Sequence, residues 1–380
     1  MKIEEIIQKE FLLDDGIIYL NHAAVSPWPN RTAQSVTVFA EKNVHTGARF
    51  YPKWVETETR LRGQLQRLIN APSIQDIALL KNTSEALSVV AEGIGWNKGD
   101  NIISTNEEFP SNRIPWQAQS DKGVEYREID ISDIECAENT LINACDENTR
   151  LITVSSVQYG SGRRLNLELL GDFCRNNNIL FCVDAIQSLG AFPFDVQQIK
   201  ADFVMADAHK WMLGPEGIAL FYCAGPVREQ IKLHQYGWHM VEKMGDYDAR
   251  EWQPAASSRR FECGSPNMLG IYALSASLSL IEEIGMEKIA GNIFKNTKYI
   301  IDYIKNNDAF SLLTPEAETH RAGIVTFKVK EQDNVAIHAG LMKNKVICAN
   351  RMGGIRFSPH FYTSENKIRN GLEILSRLSQ

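Results

Sequence analysis

Lys210 closes the run Asp207-Ala208-His209-Lys210, which follows directly on an apolar strand, Phe203-Val204-Met205-Ala206. A turn built on Gly214, Pro215 and Gly217 comes behind it. An amine set beside an apolar core is desolvated, its pKa falls, and it becomes able to form imines. For this run alone, a surface lysine on a polar turn is the competing reading. A carboxylate upstream changes the balance. Ile179–Gly190 (ILFCVDAIQSLG) is another apolar strand, ending on Asp184 with Gln187 shortly after. Asp184 precedes Lys210 by 26 residues, enough for a crossover and a second parallel strand. Acid and amine then project from the C-terminal ends of two strands of one sheet, where open α/β sheets take their ligands.

A third group is suited to an anion. In Asp76–Gly93 a short strand ends at Lys81, Asn82 is placed to cap a helix, and Glu85 stands three residues on. Leu87, Val90, Ala91 and Ile94 then follow helical spacing. The free N–H groups and dipole of such a helix start favour a phosphate beside Thr83 and Ser84. A plain cap explains the same residues.

An acid that keeps a pyridine nitrogen protonated and a lysine that forms an imine are the protein side of pyridoxal-phosphate chemistry. The stretches VDAIQSLG and DAHKWMLGPEG resemble the class V aminotransferase family of fold-type-I pyridoxal-phosphate enzymes, which includes cysteine desulfurases, selenocysteine lyase, kynureninase and isopenicillin N epimerase. The match runs from Tyr19 to about Tyr362. It implies an α/β fold in which a large domain over residues 17–265 binds pyridoxal 5′-phosphate through a mostly parallel, seven-stranded-type sheet between helices. A small α+β domain over 266–380 follows, and the segment 1–16 joins the two.

Residue by residue, the resemblance makes Lys210 the cofactor-bearing lysine and general base, and Asp184 the partner of the ring nitrogen. Thr83, Ser84 and His209 fall at phosphate contacts, and Gln187 at a further cofactor contact. Phe109 stands where desulfurases place a ring-stacking histidine; an aromatic face suits that place but passes no proton. Asp207 replaces the family's Ser or Thr. An ionised acid facing a phosphate is repelled, so Asp207 must turn toward backbone N–H groups or be neutralised by a neighbour. On the substrate side fall Asn21 and His22 (in Tyr19-Leu20-Asn21-His22-Ala23-Ala24), Gln158, and Arg356, whose fork suits a carboxylate. Ser265, within Arg260–Asn267, matches a hydroxyl that reaches the neighbouring subunit's phosphate, which implies a homodimer with shared sites.

The rest of the chain supplies the scaffold. Its 380 residues exceed one compact unit, and 44% hydrophobic with 23% charged content is ordinary for a globular protein. A net charge of −7 argues against a nucleic-acid partner, and no apolar run suits a bilayer. The first sixteen residues carry acids inside their apolar pattern, unlike a secretory signal. Seven cysteines without a C-x-x-C pair read as reduced thiols of a cytoplasmic protein, with Cys174, Cys182, Cys223 and Cys263 as core or near-core packing. No metal-ligand spacing is present. Residues 236–258 read as a long exposed loop, and 266–307 as two helices, the first passing into the C-terminal domain.

These readings point to an enzyme acting on a small amino acid through an external aldimine. First choice is β-elimination or a related lyase reaction on a cysteine-like substrate; an aminotransferase is the alternative, with epimerase, kynureninase-like hydrolase and cysteine desulfurase further off. The desulfurase reading is weakened because Cys348, the only thiol in Lys345–Arg356, follows Val346-Ile347 in an apparent strand, too near Arg356 for a long mobile loop. A non-catalytic relative is disfavoured because Asp184, His209 and Lys210 are all present. A nicotinamide or flavin enzyme lacks its G-x-G-x-x-G.

Overall fold

The computed structural model describes residues 3–132 and 137–380. In chain order its strands are β1 (Ile18–Tyr19), β2 (Ile77–Leu80), β3 (Asn101–Thr105), β4 (Glu125–Ile129), β5 (Thr149–Ser155), β6 (Leu180–Asp184), β7 (Phe203–Asp207), β8 (Ala219–Cys223), β9 (Phe310–Leu312), β10 (Val325–Val329), β11 (Val346–Ile347), β12 (Ala349–Arg351) and β13 (Gly354–Phe357). β2 to β8 form one seven-stranded sheet in the order β2-β8-β7-β6-β5-β3-β4. Only β8 runs against its neighbours β7 and β2; the other pairs are parallel. Every residue of β3, β7 and β8 is buried. The continuous apolar runs Phe203–Ala206 in β7 and Ala219–Cys223 in β8 are what a sheet covered on both faces requires.

The crossover between the acid and the lysine follows its spacing. Asp195 accepts from the N–H groups of Gln197 and Gln198 (2.9 and 3.0 Å), starting the one-turn helix Val196–Ile199. β7 then lies parallel to β6, with Asp184 opposite Met205. Ser155, Asp184 and Asp207 therefore end three adjacent strands at one edge of the sheet.

β9, β10, β12 and β13 form an antiparallel sheet in the order β12-β13-β10-β9, and β1 pairs in parallel with β11. β12 and β13 are joined by Met352 and Gly353, both at positive φ (+52° and +68°), the backbone that a two-residue hairpin needs. The helices Asn334–Lys343 and Glu365–Leu378 cover this sheet, completing the α+β unit.

We propose the division into 17–265 and 266–380 as the working units, with two exchanges in side-chain packing. Ile18 and Leu20 lie in the second core with Phe310, Phe327, Phe357 and Leu372. Conversely, Met268–Ile284 packs on the helices Asn30–Thr46 and Tyr51–Leu68 of the first core. The expectation that this helix enters the C-terminal domain is therefore corrected. It is apolar nearly all round, as a buried helix must be. The next helix, Met286–Lys305, makes the passage: Ile289 and Ile293 sit in the first core, Ile300 and Ile304 in the second. Cys174, Cys182 and Cys223 are buried as expected, whereas Cys263 is half-exposed beside Gln235.

One close approach lies just beyond the lysine. Gly190 has φ +92°, and a Cβ there would lie 2.3 Å from the carbonyl oxygen of Trp211. Backbone meets backbone, so no side chain can yield. Gly190→Ala is expected to destabilise the fold by about 3 kcal/mol, combining left-handed strain with overpacking. The urea midpoint should drop at an unchanged m-value; an unchanged midpoint would contradict this contact.

Candidate active site

A cavity of about 240 Å³ opens where the C-terminal edge of the large sheet meets the β12–β13 hairpin. Asp184 and Lys210 share its wall. Asp184 is 2% exposed, and its Oδ1 accepts the Ile186 N–H at 3.0 Å. Burial pushes its carboxyl up, while that N–H and the Lys210 ammonium pull the other way. Burial likewise lowers Lys210; Asp184 opposes that fall, and the guanidinium groups of Arg356 and Arg351 add to it. The lysine Nζ lies 5.7 Å from the ring centroid of Phe109, which itself stands edge-on to Tyr159 at 5.1 Å. Phe109 and Lys210 thus stand side by side on the cavity wall.

The phosphate-like end is built by the helix Thr83–Gly93. Asn82 Oδ1 accepts the Glu85 N–H at 2.9 Å, and Glu85 reaches back to the Lys81 N–H at 2.6 Å, one residue before the cap. The first-turn N–H groups are those a helix leaves unpaired. Thr83 Oγ1 accepts the Asp207 N–H at 3.0 Å and keeps its own proton to donate; Ser84 Oγ donates to Ser111 Oγ at 2.8 Å. Asp207 is resolved by its neighbour: its Oδ1 lies 3.1 Å from His209 Nδ1, without the alignment of a hydrogen bond. Two buried polar atoms are therefore held at this end with no bonded partner. Hydroxyls and a helix start suit a phosphate, Lys210 suits an aldehyde, and Asp184 suits a cationic nitrogen. The residues present fit pyridoxal 5′-phosphate.

Other expected residues are placed differently. Gln187 is on the wall, with its amide held at both ends: Nε2 donates to Ala23 O at 3.0 Å and Oε1 accepts from Trp211 Nε1 at 2.8 Å. Arg356 is on the wall and 1% exposed; Nη1 donates to Tyr159 O at 2.7 Å, and Nε has no partner. Burial, then the nearby Arg351, lowers its pKa to about 9. Gln158 is a correction. β5 ends at Ser155, the chain turns, and Gln158 is fully buried with Nε2 donating to Glu108 (2.9 Å) and Thr105 (3.2 Å). His22 is a second correction: both ring nitrogens are occupied, by Ser358 O at 2.8 Å and Tyr362 Oη at 2.7 Å, and it is fully buried. Ala23 and Ala24 line the wall instead, while Asn21 Oδ1 stands 3.5 Å from Arg356 Nη2 rather than on the wall. Ser265 lies apart, in an open hollow with Lys81 and Asn267.

Arg351, Ser111 and Ser155 line the cavity without having been singled out. Behind Ser155 stands Glu108, buried, accepting from Ser155 N–H and Oγ (2.7 and 2.5 Å) and from Asn112 (2.9 Å). Nothing in the wording of the segment around Glu108 distinguishes it from a surface acid. Arg351 could have been found by counting alternation through the Met352-Gly353 turn.

Two features elsewhere have simpler readings. Residues 236–253 surround a larger hollow of about 700 Å³, loop-lined and lacking the acid–amine pair. Glu58, His239 and Glu262 converge, but Arg62 donates to both carboxylates (2.6 Å each), making an ion-paired strut rather than a cation cage. No single described helix is long and apolar enough to cross a membrane.

Comparison with known proteins agrees with this geometry. The family model described as aminotransferase class-V matches residues 18–369. A protein of Methanothermobacter thermautotrophicus named "probable cysteine desulfurase" is 28% identical, over 97% of this chain and 96% of its own. The apo cysteine desulfurase of Thermococcus onnurineus superposes with a TM-score of 0.87 at 25% identity, covering 100% and 98% of the two chains. The enzyme C-DES, solved with glycine covalently linked to its pyridoxal-phosphate cofactor, shares the fold at TM-score 0.89 and 22% identity, over 96% and 97%. The chain belongs to the class-V aminotransferase family. It is a pyridoxal-phosphate enzyme of fold type I.

The buried His22 has a measurable consequence. Burial lowers its pKa to about 4, against the opposing bond to Ser358. An unfolded chain protonates this ring below about pH 6.5, but the folded chain does not until about pH 4. Stability from this group is therefore present above about pH 6.5 and lost as pH falls toward 4, by about 3 kcal/mol. The urea midpoint of the wild type should fall more steeply across that window than that of His22→Asn. Equal slopes would contradict the assignment.

Proposed function

We propose that this chain is a pyridoxal-phosphate lyase that breaks a C–S or related β-bond of a small cysteine-like amino acid without forming an enzyme persulfide. The observation that carries the reading is a desolvated lysine facing a buried acid in a cavity whose far wall presents Arg356. An aminotransferase is the alternative; epimerase, kynureninase-like hydrolase and cysteine desulfurase stand behind it.

When bound, the cofactor supplies an electron sink for bonds broken at the substrate's α- and β-carbons. In this reading Asp184 holds a proton on the ring nitrogen, since a cation placed against it reverses the burial penalty. Thr83, Ser84 and His209 bind the phosphate, with Asp207 turned to His209. Gln187, held at both ends, and Phe109 fix the ring's position. Lys210 would carry the cofactor at rest, then accept the α-proton and pass it to the departing sulfur; its lowered pKa suits an amine that must be neutral part of the time. Arg356 grips the α-carboxylate, bidentate geometry adding orientation to charge. Ser265, off the cavity of its own chain, reaches a second chain's phosphate in a homodimer. A cytoplasmic location accords with cysteines that are all free among the described residues.

A persulfide route needs an accessible thiolate. Cys348 is 3% exposed, lies outside the cavity wall, and burial pushes its thiol up to about 12. Cysteine plus water should therefore give pyruvate, ammonia and sulfide, and Cys348→Ala should retain the rate. Alanine as product, with a gain of about 32 Da on Cys348 and an inactive Cys348→Ala, would overturn the reading in favour of a desulfurase. Transfer of the amino group to an added keto acid would favour the aminotransferase.

A further inference from the structure

At the phosphate-like end of the cavity a carboxylate and an imidazole face each other without a bond between them. Asp207 ends β7, His209 stands two residues on, and both lie on the wall. Asp207 is 7% exposed. Its Oδ1 and the Nδ1 of His209 are 3.1 Å apart, and each is buried with no hydrogen-bond partner. The backbone that carries them is fixed. Thr83 Oγ1 accepts the Asp207 N–H at 3.0 Å, and His209 O accepts the Ser26 N–H at 2.8 Å.

The elements packed around the pair bring no cation to it. The helix Thr83–Gly93 lies against β7, and its first-turn acid, Glu85, is taken up by the Lys81 N–H. β8 sets Ala219 opposite Asp207. The other charged groups on the wall are Asp184 and Lys210 at the sheet edge and Arg351 and Arg356 from the hairpin; Tyr159 is the remaining titratable one. Among the described residues none of these cations pairs with Asp207, whose one ionic neighbour is His209.

Proton count is then the constraint. A neutral imidazole has one N–H and one bare nitrogen, whereas an imidazolium has two N–H groups. Asp207 is an acceptor at Nδ1. A phosphate at this end is a second acceptor, left to Nε2, which makes no bond among the described residues. With a single proton, whichever nitrogen is bare turns its lone pair toward an anion. One further proton lets the ring donate to both, through charge-assisted bonds. The count is the same if that proton is drawn on Asp207, which would then donate to Nδ1.

We propose that Asp207 and His209 together take up one proton when the cofactor's phosphate binds, so that loading of this enzyme is proton-coupled at its phosphate end. The proton comes from solvent and stays on the pair while the phosphate is held; no covalent bond to the phosphate changes. This rests on the reading of Thr83, Ser84 and His209 as the phosphate residues, and it gives Asp207 a task among them.

The test measures affinity of the cofactor-free protein by imine absorbance. The probes are pyridoxal 5′-phosphate and 5′-deoxypyridoxal, an aldehyde that forms the same imine but carries no phosphate. The ratio of the two affinities cancels protons exchanged at Lys210 and at the pyridine ring. Between about pH 8 and pH 9, phosphate monoesters are already dianions and imidazoles in water already neutral. Uptake of one proton therefore lowers the ratio about tenfold across that interval. Wild type should show this fall. Asp207→Asn and Asp207→Ser carry no charge and can donate to Nδ1, so their ratio should stay within about twofold. A flat ratio in the wild type would overturn the proposal. A tenfold fall persisting in both variants would overturn it equally, because the proton would then reside elsewhere. If Thr83→Val combined with Ser84→Ala leaves the ratio at the wild-type level, the phosphate reading of this end fails, and the proposal fails with it.

Discussion

The burial of one carboxylate opposite one amine governs the rest of this structure. Asp184 and Lys210 would each be costly alone in an apolar sheet edge, since an isolated buried charge is penalised by several kcal/mol. Together they moderate one another: burial raises the acid and lowers the amine, and each attraction pulls partly back. The pair is tolerable only if the two strands carrying it are fixed in register. β6 and β7 are parallel, adjacent and buried, and Gly190 packs directly against the backbone that follows the lysine. Rigid framework and perturbed titration are two aspects of one arrangement.

Around that pair the two cores divide the work. The seven-stranded sheet brings Ser155, Asp184 and Asp207 to one edge and sets a helix start beside them. The second core presents the β12–β13 hairpin with Arg351 and Arg356 from the other side. His22 and Trp211 link the two: His22 binds Ser358 and Tyr362, and Trp211 binds Gln187 while its carbonyl accepts from His360 at 3.1 Å. Cavity geometry therefore depends on packing between the cores as much as on either sheet.

How much of this was legible in the chain depended on range. The strand carrying Asp184, the lysine strand and the Asn82 cap each announce themselves within a dozen residues, through apolar runs ending on polar side chains. Placements that depend on distant partners did not. His22 and Gln158 sit in segments whose types suit a ligand, yet each is taken up by buried groups far along the chain, Ser358 and Tyr362 for one and Glu108 for the other. Asp207 was ambiguous for a different reason: its neighbour His209 is only two residues on, but the side-chain directions that bring Oδ1 within 3.1 Å of Nδ1 are not written in residue types. Helix destinations are hard to read because Met268–Ile284 and Met286–Lys305 both carry apolar residues at helical spacing, and which core each face meets depends on distant segments.

The central claim is that a desolvated Lys210 carries the cofactor. Reduction of the cofactor-loaded enzyme with borohydride, followed by peptide mapping, tests it directly. The account predicts a single pyridoxyl-modified peptide containing Lys210, with the label lost in Lys210→Ala. A label on any other lysine, or cofactor bound with no lysine labelled, would contradict it.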